Sequence, residues 1–190
     1  MKKYFFLISI LVTGIFTHAQ VSTVVDGFST NLTKSDLPFS GDRKLHAIGL
    51  NDRNTNNYIV VSKNKSGAAD DELYIEKFTK KDGNEFERTF SVKLTHPVNK
   101  SLAFVNNRMS YRDADKDGNA ELIYIVDQHS NGVDSPVEKT YGIIMYNNAA
   151  YKIWKLAEDG FTKNYYDDNF SKLPAIVREG FEEFWNSLKH

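Results

Sequence analysis

From Lys44 onward, hydrophobic and polar residues fall into short alternating blocks separated by polar turns. Leu45, Ala47 and Gly49 alternate with His46, Ile48 and Leu50, a polar stretch runs from Asn51 to Asn57, and Tyr58-Ile59-Val60-Val61 follows. Period-two alternation on both sides of a turn predicts a β-hairpin. A second hairpin is predicted where Leu73 to Thr79 and Glu85 to Leu94 flank Lys81-Asp82-Gly83-Asn84. Asp-Gly supplies the positive φ that a tight turn needs. Phe86, Phe90, Val92 and Leu94 are expected on one face, with Arg88 as the exception. Two further runs, Leu122 to Val126 and Tyr141 to Tyr146, are apolar on both faces. Strands of that kind belong in the middle of a sheet, with one face against a helix or second layer. Asn147-Asn148 then turns the chain into Tyr151-Lys152-Ile153-Trp154.

Helical spacing occurs at the end of the chain. After Pro174, Val177, Phe181, Phe184, Trp185 and Leu188 repeat on one side, while Arg178, Glu179, Glu182, Glu183 and Lys189 fall on the other. This stripe predicts an amphipathic helix capping the sheet. The fold class expected is α+β, mainly antiparallel sheet built from hairpins, with a C-terminal helix packed on it.

The first residues follow a different logic. Lys2 and Lys3 precede an apolar run from Tyr4 to Phe16, too short to span a membrane, and Thr17-His18-Ala19 offers small residues at the cleavage positions. Residues 1–19 read as an export signal cleaved after Ala19, so the protein is expected in a periplasm, at a cell surface or secreted. No later stretch is apolar enough to span a bilayer as a helix. Residues 20–43 form an irregular entry segment with one short strand near Val24-Val25, and 44–190 form a single β-rich domain.

Composition removes several classes of function. The formal net charge is −1, which argues against nucleic acid as a partner. The absence of cysteine excludes disulfides, thiolate zinc sites, iron–sulfur clusters and a lipid-anchoring cysteine. There is no Gly-x-Ser-x-Gly elbow, His-Glu-x-x-His or phosphate-cradling loop, and His46, His96 and His129 are isolated in sequence. A non-enzyme is therefore expected.

The stretch that carries chemistry is Asp113-Ala114-Asp115-Lys116-Asp117-Gly118-Asn119-Ala120-Glu121. Its clustered carboxylates would repel one another without a cation, and the odd-numbered spacing lets a tight loop turn Asp113, Asp115 and Asp117 to one centre. Gly118 supplies the bend, the Asn119 carbonyl a backbone ligand, and Glu121 closes a shell of hard oxygens suited to Ca²⁺. Counting from Asp113, the twelfth position is Tyr124, where a helix-loop-helix hand requires Glu, and a β-branched strand follows Glu121. The loop instead resembles the calcium loops of FG-GAP and VCBS-type repeats, which pass from a turn directly into a strand. Those loops usually end on Asp where Glu121 stands.

A wider resemblance spans most of the mature chain. The export signal, Asn56-Asn57-Tyr58-Ile59-Val60-Val61, Tyr111 to Gly118 with Glu121, Tyr141-Gly142-Ile143-Ile144 and Tyr151-Lys152-Ile153-Trp154 together look like a family of small exported bacterial proteins named for surface-polysaccharide biosynthesis. The resemblance implies an envelope role with surface glycan or an envelope protein as partner, and no catalytic residues. An exported hydrolase of glycans or phosphoesters, and a protein inhibitor or assembly partner, are the alternative functions. Asp159 to Phe170 mixes aromatic and hydrogen-bonding residues as a sugar site does. The same residues also suit a long connection pinned to the core by Phe161, Tyr165 and Phe170, with Asp167 and Asp168 in solvent.

Overall fold

The structure, a computed structural model, describes residues 32–52, 55–83, 85–96 and 100–188. The export segment and the strand expected near Val24-Val25 lie outside the described residues. Two antiparallel sheets follow one another in the chain. The first contains β1 (Arg43–Asp52), β2 (Thr55–Lys63), β3 (Asp71–Lys80) and β4 (Phe86–His96), in sequential order. The second contains β5 (Ser101–Arg112), β6 (Glu121–His129), β7 (Val137–Tyr146), β8 (Ala149–Leu156) and the short β9 (Tyr165–Tyr166), also in order. Helix α1 (Ala175–Ser187) ends the described chain. The fold is thus α+β, dominated by antiparallel hairpins, with a C-terminal helix. Among the described residues, no helix is long and apolar enough to cross a membrane.

The hydrophobic alternation explains how the layers stack. Ile48, Leu50, Ile59, Val61, Leu73, Ile75, Val92 and Leu94 of the first sheet join Leu122, Tyr124, Val126, Ile143 and Met145 of the second in one buried cluster. The other face of the first sheet is covered by the entry segment, where Leu37 and Phe39 pack on Val60 and Phe78. Glu76 helps hold that segment, accepting from the Ser40 N–H at 2.7 Å and from the Ser40 hydroxyl at 2.8 Å. The far face of the second sheet presents Ile123, Ile125, Ile144 and Ile153 to Phe170, Leu173, Val177, Phe181 and Trp185. β6 and β7, apolar on both sides, hold the interior positions between two apolar layers as their composition demands.

One expected face is corrected. The register shifts between Lys77 and Phe78 and leaves Thr89 outside the pairing of β3 with β4. A bulge adds one residue and so exchanges the two faces on either side of it. Phe90, Val92 and Leu94 point between the sheets, whereas Phe86 packs with the outer cluster of Phe78 and Val60. Arg88 shares the outer face of Phe86 and reaches Glu76 at 2.7 Å, so it is no exception to its own side.

Candidate metal centre

β5 and β6 pair up to Arg112 opposite Glu121, and the acidic loop 113–120 is the connection between them. The chain turns through the left-handed region at Lys116 (φ 61°) and Gly118 (φ 90°). Its N–H groups close on its own carboxylates. Asp113 Oδ2 accepts from Gly118 N–H at 3.1 Å, Asp115 Oδ1 from Asp117 N–H at 3.2 Å, and Asp117 Oδ1 from Asn119 N–H at 2.7 Å. Glu121 Oε2 accepts from Ala114 N–H at 2.6 Å, tying the two ends of the loop together. The result brings one carboxylate oxygen each from Asp113, Asp115, Asp117 and Glu121 within 4.8 Å of one another, a group that could hold a metal ion.

Electrostatics makes this cluster costly by itself. Two unit charges at that separation repel by about 3 kcal/mol at an effective dielectric constant of about 20. Glu121 is 1% exposed. Burial, followed by the charges of Asp115, Asp113 and Asp117, pushes its pKa up to about 7 against the opposing Ala114 N–H. Tyr146 donates its hydroxyl to Asp115 Oδ2 at 3.0 Å, and burial together with that carboxylate raises its pKa to about 12. Asp113 Oδ1 is buried without a hydrogen-bond partner. A buried, unpaired carboxylate oxygen within an acidic group fits a cation, which would satisfy it without needing a donor.

Asn119, between Gly118 and Ala120 in the same loop, is exposed. It lines a cavity of about 200 Å³ together with Lys77, Glu121 and the Asn147-Asn148 turn. The residue that sequence reasoning missed is Asp52, at the end of β1. Its Oδ1 accepts from Ala120 N–H at 3.0 Å, and its Oδ2 accepts from Asn57 Nδ2 at 2.7 Å, with Lys77 Nζ 3.7 Å away. Burial raises the Asp52 pKa, opposed by the Ala120 N–H and Lys77. The first sheet thereby grips the loop of the second across a sequence separation of 68, and no local pattern announces that pairing.

The remaining singled-out residues lie elsewhere. His46 packs against the Phe104 ring, His129 Nδ1 lies 2.7 Å from the Ser135 carbonyl, and His96 is buried at the end of β4. In the 159–170 connection Phe170 is buried, and Tyr165 adds β9 to the sheet. Asp167 is not simply solvated: its Oδ2 accepts from Lys152 N–H at 3.0 Å, and its own N–H donates to the Lys152 carbonyl. Compared with protein-family models, curated proteins and solved structures, the chain matches none.

Proposed function

We propose that this chain is an exported, non-enzymatic envelope protein stabilised by calcium and associated with surface polysaccharide. The observation that carries the metal reading is the convergence of Asp113, Asp115, Asp117 and Glu121, with the buried Asp113 Oδ1 lacking any partner. An all-oxygen, highly charged donor set of this kind suits Ca²⁺ better than softer ions. The residues that would hold it are these four, with Asn119 offering its carbonyl. Bound there, the cation supplies charge neutralisation.

The chain's own residues determine what that neutralisation does. Glu121 begins β6 and pairs with Arg112, so fixing its carboxylate fixes the register of an interior strand. Ala120 is bonded to Asp52, so the same loop anchors the edge of the first sheet. No histidine or nucleophile stands in the loop, which supports a structural role. Envelope location rests on Lys2, Lys3 and the apolar run to Phe16. The glycan association rests on the family resemblance.

Thermal melting in calcium and in chelator tests the metal reading, with Asp115→Ala as the comparison. Wild type is expected to melt higher in calcium and the variant to lose most of that increment. Identical melting of both proteins in both buffers would refute it. Mass spectrometry of the native protein is expected to find an amino terminus at or within a residue or two of Gln20, and intact Met1 on a cytosolic species would refute export.

An exported hydrolase is the second reading, favoured by the cavity beside Glu121 into which Lys77, Asn147 and Asn148 also face. It requires metal-dependent turnover of a glycan or phosphoester that Glu121→Gln abolishes without unfolding the protein.

A further inference from the structure

At the other end of β6 from the acidic loop, an unusual lysine lines a cavity of mixed polar and apolar character. Tyr141 of β7, Trp154 of β8 and Tyr165 of β9 are direct cross-strand partners, so they lie side by side on one face of the second sheet. Trp154 and Tyr165 stack in parallel, with centroids 6.0 Å apart and planes 10° apart. The Lys139 ammonium stands 4.3 Å from the Tyr141 centroid and 4.6 Å from that of Trp154. Both tyrosines are fixed, Tyr141 donating to Gln128 Oε1 at 3.3 Å and Tyr165 to Asp159 Oδ2 at 2.6 Å.

Lys139 is thus held by ring faces, and no carboxylate pairs with it among the described residues. Burial lowers its pKa, as expected for an ammonium removed from water without a counter-ion. Its three N–H donors remain available, and it lines a cavity of about 370 Å³ with Gln128, Glu138, Leu156, Ala157 and Glu158. That volume lies within the range of small-molecule sites. Glu138 is already balanced by Lys100 at 2.7 Å. The free charges facing the cavity are therefore one ammonium, at Lys139, and one carboxylate, at Glu158.

We propose that this cavity is a saccharide-binding site. Its lining asks for a ligand that donates to Glu138 and Glu158, accepts from Lys139 and Gln128, and places C–H surface on Leu156 and Ala157. Sugar hydroxyls both donate and accept, and a pyranose ring presents apolar faces. A phosphate or nucleic acid would meet the Glu158 carboxylate beside a single free ammonium, and a purely apolar ligand would leave Lys139 and Glu158 unsatisfied. The aromatic ladder contributes preorganisation, because Lys139 needs no rearrangement to offer its donors. The site gives the proposed glycan association a location and rests on that reading for its place in biology. It does not depend on the metal, since Gln128 lies seven residues from Glu121 along β6, roughly 23 Å away.

The test uses the mature protein in calcium, screened by saturation-transfer NMR against short neutral and uronic-acid-bearing oligosaccharides, with hits titrated by calorimetry. Lys139→Met and Glu158→Gln are each expected to weaken binding by about tenfold, the loss of one charged hydrogen bond. Glu158 is exposed, so its variant keeps the test meaningful even if Lys139→Met perturbs folding. Lys65→Met, on a different loop, is expected to bind as wild type. Saccharide binding unaffected by both cavity variants would overturn this site while leaving the glycan reading intact. No binding of any oligosaccharide would overturn both.

Discussion

Glu121→Gln is expected to change sign with calcium. The substitution keeps an oxygen that can accept from Ala114 N–H, now at 2.6 Å, and removes a charge from a side chain that is 1% exposed. Without metal, the folded protein disfavours that charge strongly enough to move the pKa from an ordinary 4.5 to about 7. Converted at about 1.4 kcal/mol per unit, the shift corresponds to about 3 kcal/mol. Asp117 is exposed and Asp115 half-buried, and screening reduces the realised gain to about 1–2 kcal/mol. In metal-free buffer the variant should therefore be more stable than wild type. With calcium at about 100 times its dissociation constant, wild type should gain about 2.7 kcal/mol, or roughly 5–10 °C in a chain of this size. The variant binds the ion through one fewer charged ligand and should gain much less, so the two melting curves exchange order. Differential scanning calorimetry of both proteins, in chelator and in calcium, reads all four states. A variant less stable than wild type in chelator would refute the claim that burying the Glu121 charge, beside like charges, strains the loop. Equal calcium increments would refute Glu121 as a ligand.

The same ionisation predicts a pH dependence. A carboxylate whose folded pKa is raised favours the folded state in its protonated form, so metal-free stability should fall as pH rises from about 4.5 to about 7 and flatten above. Urea unfolding across that window should show the decline in wild type, much less of it in Glu121→Gln, and little in wild type with calcium bound; parallel curves for the two metal-free proteins would contradict it. Gly142→Ala tests the helix layer independently, because the added Cβ would stand 2.7 Å from Ile153 Cγ2 and 3.1 Å from the Trp185 ring. Overpacking there should cost about 1–3 kcal/mol and lower the melting temperature equally with and without calcium, whereas wild-type stability would show that the layer yields freely.

Much of this protein follows from its sequence because the relevant physics is local. Alternation fixes the β1–β2 and β3–β4 hairpins, double-faced runs place β6 and β7 inside their sheet, and helical spacing from Val177 to Trp185 chooses the buried side of α1. The acidic loop is equally local, since carboxylates two residues apart need only one tight turn to converge. Strand β5 is not legible in the sequence, because Asn106-Asn107-Arg108 interrupts its apolar pattern and a register shift between Phe104 and Met109 breaks its period. The bulge at Thr89 likewise reverses faces that an unbroken alternation would align. Tertiary structure alone decides that two sheets form, that Asp52 reaches across to the loop, and that Tyr141, Trp154 and Tyr165 stand in a row. These are meetings of residues far apart in the chain, and the choice among them depends on packing and loop closure summed over the whole molecule, which no short window of sequence contains.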